Sequence, residues 1–306
     1  MVQEKINLMT IKWGTKFSAD YPNLIHRMAK RQMPCEFNSY CMTDDPNGLD
    51  DDIIPVECTE PWLWNDVLSN CQGGDKNHPS KIITSSNKGH NYDEAHMLAK
   101  NNGPLFLIGY TDTLVNTGTA SSIYADNKSQ WWFWDAIKMS LFAPKLCGIE
   151  GKILFSDLDN LFLNPMDKII QTEPPAIIKT NWNSNYHIPM HGGNYFLTMG
   201  FNASLIYVDN RSPVTQEIWE HFLRYYNRAK ASLYSSDAYL WRCHRDKINT
   251  YPEGTVYSHS RGAKYPDQKK GKYRKDHEVC IFMEDHEPDP LDIKEGWEAD
   301  ICKQYL

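Results

Sequence analysis

A chain of 306 residues is long enough to bury a sizeable core, and its net charge of −7 argues against sequence-independent binding to a phosphate backbone, which needs clustered Lys and Arg. Charged residues at 23% and hydrophobic residues at 41% are ordinary for a soluble globular protein, and no apolar run reaches the length that spans a bilayer. The eight cysteines include no CxxC pair and no signal-peptide hydrophobic region leads the chain, so free thiols in a reducing cytoplasm are expected, without a disulfide framework or zinc knuckle.

Residues 6–11 alternate around Leu8 and Met9 and predict a first strand, with Trp13-Gly14-Thr15-Lys16 turning out of it. Ser18 or Asp20 then caps a helix whose apolar stripe is Tyr21, Leu24, Ile25 and Met28, with Pro22 tolerated in the first turn. Residues 38–42 predict a second strand that runs into the polar turn Thr43-Asp44-Asp45-Pro46-Asn47-Gly48. Strand, loop, helix, strand is the opening of an α/β nucleotide-binding unit, whose ligands sit outside the carboxyl ends of the strands. Residues 69–130 are rich in Asn, Gly, Ser, Lys and His, with one strand candidate at 105–108, and read as an insertion or flap. Residues 130–142 predict a helix with Trp134, Ile137, Leu141 and Phe142 on its apolar stripe. Lys138 lies one position round from the core, where it either snorkels to water or reaches into the crevice.

The chain then enters Gly151-Lys152-Ile153-Leu154-Phe155-Ser156-Asp157-Leu158-Asp159-Asn160-Leu161-Phe162-Leu163. Its apolar run reads as a short buried strand that ends in two carboxylates. Residues two apart in extended chain point the same way, so Asp157 and Asp159 converge, and their mutual repulsion calls for a cation such as magnesium or manganese between them. Further strands are predicted at 176–178, 202–208, 256–257 and 279–282. An amphipathic helix over 215–229 buries Ile218, Trp219, Phe222, Leu223 and Tyr226, and another starts near Ser236 or Asp237. His187 and His191 have helical zinc spacing, but Pro189 between them argues against a helix there. A basic loop over 264–275 reads as a solvated charge run, and with no repeat or linker visible the chain reads as one domain.

Lys12-Trp13-Gly14-Thr15-Lys16 ahead of the Tyr21 helix, Thr43-Asp44-Asp45, Lys138 and Phe155-Ser156-Asp157-Leu158-Asp159 together resemble the GT-A glycosyltransferases. The similarity is closest to the glycogenin-like and bacterial galactosyltransferase-like group and to related phage and bacterial enzymes. Residues 202–208 resemble that group's Asn-Ser-Gly strand, and Ser236-Asp237 its later Asp-containing helix start. The resemblance covers most of the chain outside about residues 66–130.

It implies an α/β fold, a single Rossmann-like GT-A domain over 1–306 with a central mixed, mostly parallel sheet flanked by helices. It also implies metal-dependent transfer of a sugar from a nucleotide-diphosphate sugar, with UDP as the first choice of nucleotide, to a glycan, protein or small-molecule acceptor. In that assignment Mn2+ or Mg2+ is held by Asp157 and Asp159, and Thr10, Lys12, Trp13 and Tyr21 bind base and ribose. Lys138 and Asp157 face the diphosphate, and Asp237 faces the transferred sugar or the acceptor as the catalytic candidate. The group completes its metal site with a late histidine in a Phe-His-Gly element before a proline. Here the stretch is Phe282-Met283-Glu284-Asp285-His286-Glu287-Pro288, which departs from that element; His286 is taken as the third ligand, with Asp285 or His259 as alternatives.

Two other readings stand beside this one. Asp157-Leu158-Asp159-Asn160-Leu161 is similar to the haloacid-dehalogenase-type phosphatase motif, with Asp157 as nucleophile, although Leu161 stands where Thr or Val is usual. Ten Trp and seventeen Tyr would also suit a non-catalytic protein that stacks on sugars or nucleobases, besides filling a core.

Overall fold

The computed structural model describes residues 5–12, 16–56, 137–182, 200–232, 236–264, 271–282 and 288–306. Trp13, Trp134, residues 69–130, the His187/His191 pair, Asp285 and His286 lie outside these residues, as does the side chain of Tyr226.

In chain order the described elements are β1 (Ile6–Lys12), α1 (Asp20–Gln32), β2 (Phe37–Thr43) and β3 (Ile53–Val56). After a 3-10 turn at Ser140–Phe142 come β4 (Lys152–Ser156), β5 (Asn160–Phe162), α2 (Asp167–Gln171), β6 (Ala176–Lys179) and β7 (Phe201–Asp209). The chain continues through α3 (Pro213–Ser232), α4 (Ser236–His244), β8 (Asn249–Thr250), β9 (Val256–Ser258), β10 (Val279–Ile281) and α5 (Trp297–Lys303). Seven strands form a central sheet in the order β3-β2-β1-β4-β7-β6-β8, and three form a second sheet in the order β5-β10-β9. In the large sheet only β7 runs against its neighbours, pairing antiparallel with both β4 and β6.

Strand periodicity explains the layering. Ile153 and Phe155 of β4, Ile206 and Val208 of β7 and Ile177 of β6 share one face, where Leu141, Phe142, Ile218, Trp219, Phe222 and Tyr239 cover them. The alternate residues Leu154, Leu205, Tyr207, Ala176 and Ile178 face the other way, onto α1 and the small sheet. A strand covered on both faces reads as a continuous apolar run, which is why β4 stood out in sequence. Gly151 enters it with φ of 104°, a conformation that favours glycine.

Some local expectations need correction. Ser18 and Asp20 do not cap α1. The N-cap position is Ala19, without a side-chain bond; one residue earlier the Ser18 hydroxyl accepts the Asp20 amide at 3.3 Å and donates to the Asp20 carboxylate at 3.0 Å. Leu223 is 46% exposed, whereas Phe222 is 1% exposed. The buried stripe of α3 is centred on Ile218, Trp219 and Phe222, and one residue further is about 100° round the helix. Phe222→Ala is therefore expected to cost about 3–5 kcal/mol and Leu223→Ala less than about 0.5 kcal/mol. Denaturant unfolding of the two variants measures the difference, and equal losses would contradict this helix face.

Candidate functional site

β1 and β4 are parallel neighbours, paired at Met9 and Phe155, so both leave the sheet at the same edge. Lys12 closes β1 there and Asp157 follows β4 there. Within three residues the chain crosses from the large sheet to the small one, because Asn160 already pairs with Ile281 in β10. The two carboxylates occupy that crossing.

What fixes the crossing is a gap in the ladder. The β6–β7 register jumps from the Ile177–Ile206 pair to the Ile178–Asn202 pair, and β4 pairing with β7 ends at Leu205. The intervening backbone of β7, residues 203–205, has no paired partner in β6, as at bulges that re-aim functional groups, although Leu205 stays paired with Ser156 of β4. Its groups are used at once. The Ser204 carbonyl accepts the Asp157 amide at 2.8 Å and the Asn160 side-chain amide at 2.7 Å. The Ala203 amide donates to Asp237 Oδ1 at 2.9 Å, so consecutive residues of one strand hold both the carboxylate turn and the start of α4. Asn160, fully buried, also donates to the Ser156 hydroxyl at 2.9 Å and stitches the turn to itself.

Lys138 completes this group. Its ammonium lies 2.7 Å from Asp157 Oδ2 and 5.6 Å from the centre of the Phe155 ring. Its ammonium is thus held by a carboxylate. A bond between charged groups at this length is among the stronger ones, although both side chains keep about a fifth of their surface in water. Asp159 is more deeply set, at 7% exposure. Its charge is felt by Tyr21, whose hydroxyl is pushed well above its ordinary value first by burial and then by Asp289, Asp292 and Asp159. The Tyr21 ring is buried and meets Phe17 edge-on at 4.8 Å.

Other expected site residues are tied into the protein. Thr10 and Lys12 are both buried; Thr10 Oγ1 donates to the Tyr40 carbonyl at 3.3 Å and Lys12 Nζ to the Asp45 carbonyl at 3.2 Å. His259 leaves the small sheet beside Phe282 and Asp159, one step beyond the paired residues Ser258, Ile281 and Asn160. The imidazole stacks on Phe282 at 4.4 Å, and its Nε2 lies 2.7 Å from Glu298 Oε1 with both partners buried. Gly296 permits this, because a Cβ there would stand 2.7 Å from Glu298 Oε2 and its φ is 102°. Glu298 was not singled out by residue pattern, since it acts through a partner far away in the chain.

Among the described residues no cluster of three or more His, Cys, Asp or Glu side chains is assembled for a metal. No described helix is long and apolar enough to cross a membrane. A cleft of about 670 Å3 opens at the opposite edge of the sheet, between Lys5, His26, Lys30, Phe37 and Asp52, away from the paired carboxylates.

No protein-family model matches the chain, and no curated protein matches its sequence. Solved structures match it in shape. The bifunctional glycosyltransferase WbbM in its apo form has a TM-score of 0.51 at 11% identity, over 98% of this chain and 49% of that one. The chain thus spans about half the length of WbbM. The galactosyltransferase LgtC, in complex with donor and acceptor sugar analogs, has a TM-score of 0.48 at 9% identity over 98% and 94% of the two chains. Mouse xyloside xylosyltransferase 1 has 0.43 at 10% identity over 91% and 97%. At such identities the WbbM likeness speaks for the fold alone, and that fold is a mixed α/β arrangement of the GT-A type.

Proposed function

We propose that this chain is a metal-dependent glycosyltransferase that moves a sugar from a nucleotide-diphosphate sugar, a UDP-sugar first, to a glycan, protein or small-molecule acceptor, on one GT-A domain with an insertion at 69–130. The observation that carries the proposal is the Asp157–Lys138 ion pair beside the buried Asp159 at the carboxyl end of β4, with Asp237 tied to Ala203, the neighbour of the Ser204 that holds the Asp157 amide. Crevices at strand carboxyl ends are where open α/β sheets bind nucleotides.

The donor set fits a hard divalent cation. Carboxylate oxygens are the ligands Mn2+ and Mg2+ prefer, and Asp159 is a buried carboxylate with Asp289 and Asp292 among the charges around Tyr21 beside it. Asp157 and Asp159 would hold the ion, whose chemistry there is Lewis-acid neutralisation of the charge on the departing diphosphate. Lys138 adds a fixed positive charge on the same side, directed by Asp157, toward the diphosphate. Asp237, anchored on Ala203, faces the transferred sugar or the acceptor hydroxyl. Thr10, Lys12, Trp13 and Tyr21 shape the base and ribose end. His286 is the proposed third ligand, with Asp285 or His259 as alternatives; Glu298 bonds Nε2 of His259, so that histidine would ligate through Nδ1.

A thermal-shift and turnover screen of nucleotide sugars with and without manganese tests this. Stabilisation by UDP or a UDP-sugar only when manganese is present is the expected result. Absence of any nucleotide-dependent shift with metal would sink the proposal, and turnover of p-nitrophenyl phosphate by a route through Asp157 would favour the phosphohydrolase reading.

A further inference from the structure

We infer that Tyr239 is a positioning residue: its hydroxyl, shared between His221 and His244, sets the roll of α4 and thereby holds the Asp237 carboxylate on the Ala203 amide. The effect on turnover rests on the proposed role of Asp237, whereas the effect on Ala203 rests on geometry alone.

α4 has only nine residues, so its placement comes from packing and not from helix propensity. Tyr239 is fully buried, with its ring 5.4 Å from Phe222. Its hydroxyl is 2.7 Å from Nδ1 of His221 on α3 and 3.0 Å from Nε2 of His244 at the end of α4. The two imidazoles meet edge-on at 4.7 Å. Burial pulls both histidines below their usual range, His244 to about 3, so both rings are neutral at pH 7. Two neutral rings let the phenol donate to one and accept from the other, so the hydroxyl uses both its donor and its acceptor capacity in a low-dielectric setting.

Apolar contacts tolerate sliding and buried hydrogen bonds do not, so this knot fixes the helix in angle as well as in place. Asp237 lies two residues before Tyr239, about 200° away round the helix. One side of α4 is thus pinned to α3 and the other reaches β7. A roll of about 20° moves a side-chain tip by about 2 Å at a helix radius of 5–6 Å, enough to break the 2.9 Å bond to Ala203.

Tyr239→Phe keeps the ring and removes the hydroxyl. In this variant the Ala203 amide is expected to exchange about tenfold faster with solvent, as in Asp237→Ala, while the amides of Ile206, Tyr207 and Val208 keep their protection. Affinity for UDP with manganese, by calorimetry, should stay within about twofold, and kcat should fall about a hundred-fold. His221→Phe, changed on a half-buried residue of α3, should accelerate Ala203 in the same way and serves if Tyr239→Phe does not fold. Unchanged Ala203 exchange in the variants overturns the inference, and so does uniform acceleration along β7, which marks general loosening. If Ala203 alone responds but no nucleotide binds either protein, the positioning stands and the transferase reading falls.

Discussion

Asp159→Asn is expected to lower metal-dependent turnover of the nucleotide sugar by about a thousand-fold while leaving the metal-free protein at least as stable as the parent. The asparagine preserves size and removes one charge from a buried position at 7% exposure. In the resting protein that charge acts on Tyr21 in the same direction as those of Asp289 and Asp292, and an asparagine of equal size opens no cavity. In turnover the same charge would be half of the carboxylate pair that holds the cation. The loss should therefore appear chiefly in kcat, with the manganese concentration for half-maximal rate raised. Lys138→Met should act more on KM for the donor, because its charge is offered to the diphosphate from outside the ligand pair. Steady-state kinetics across a manganese titration separates the two. An Asp159→Asn enzyme within tenfold of the parent would remove the metal from the proposal.

Acid should unfold this protein well before its carboxylates titrate. Burial holds the His244 imidazole down at about 3, and the neighbouring His221 and Lys247 push in the same direction. In the unfolded chain the ring titrates near 6.5, so as pH falls the unfolded state takes up the proton first. The stability is complete above about 6.5 and is lost on the way down toward 3; at pH 5 His244 alone accounts for roughly 2 kcal/mol. His26, His221 and His277 are lowered as well, burial being the main cause in each, and they act with the same sign. Glu278 works against them. Burial raises its carboxyl despite the amides of Lys168 and Ile169 that it accepts, so it favours the folded state as pH falls. Asp50 and Asp209, held down by Arg27 and Arg211, contribute losses only below about pH 4. Denaturant midpoints at pH 8, 7, 6 and 5 should decline over this window, and His244→Gln should flatten the decline. A midpoint independent of pH between 8 and 5 would refute the assignment.

The parts of the fold that residue pattern revealed are those with a local period. α1 was visible from Tyr21, Leu24, Ile25 and Met28, all buried, and β4 from an apolar run covered on both faces. β5 was not predicted, because Asn160-Leu161-Phe162 becomes a strand only by pairing with β10 late in the chain. β3 was missed, since Pro55 interrupts a four-residue edge strand with Ile54 exposed. At the candidate site the carboxylates and Lys138 were legible as chemistry on one strand end. The anchor of Asp237 was not, because it is a backbone amide released by a register jump, and register jumps leave no signature in residue type. Glu298 was hidden for a similar reason, as its partner His259 is 39 positions away.

The crossing between the sheets has a thermodynamic consequence. Asp157 hangs from the seven-stranded sheet through Ser204, while Asp159 adjoins Asn160, the first residue of β5 in the three-stranded sheet. A ligand that grips both carboxylates acts as a rivet through two layers. Its binding energy is forfeited if either layer opens, so ligation should make the sheets melt as one unit even where they would otherwise fray apart.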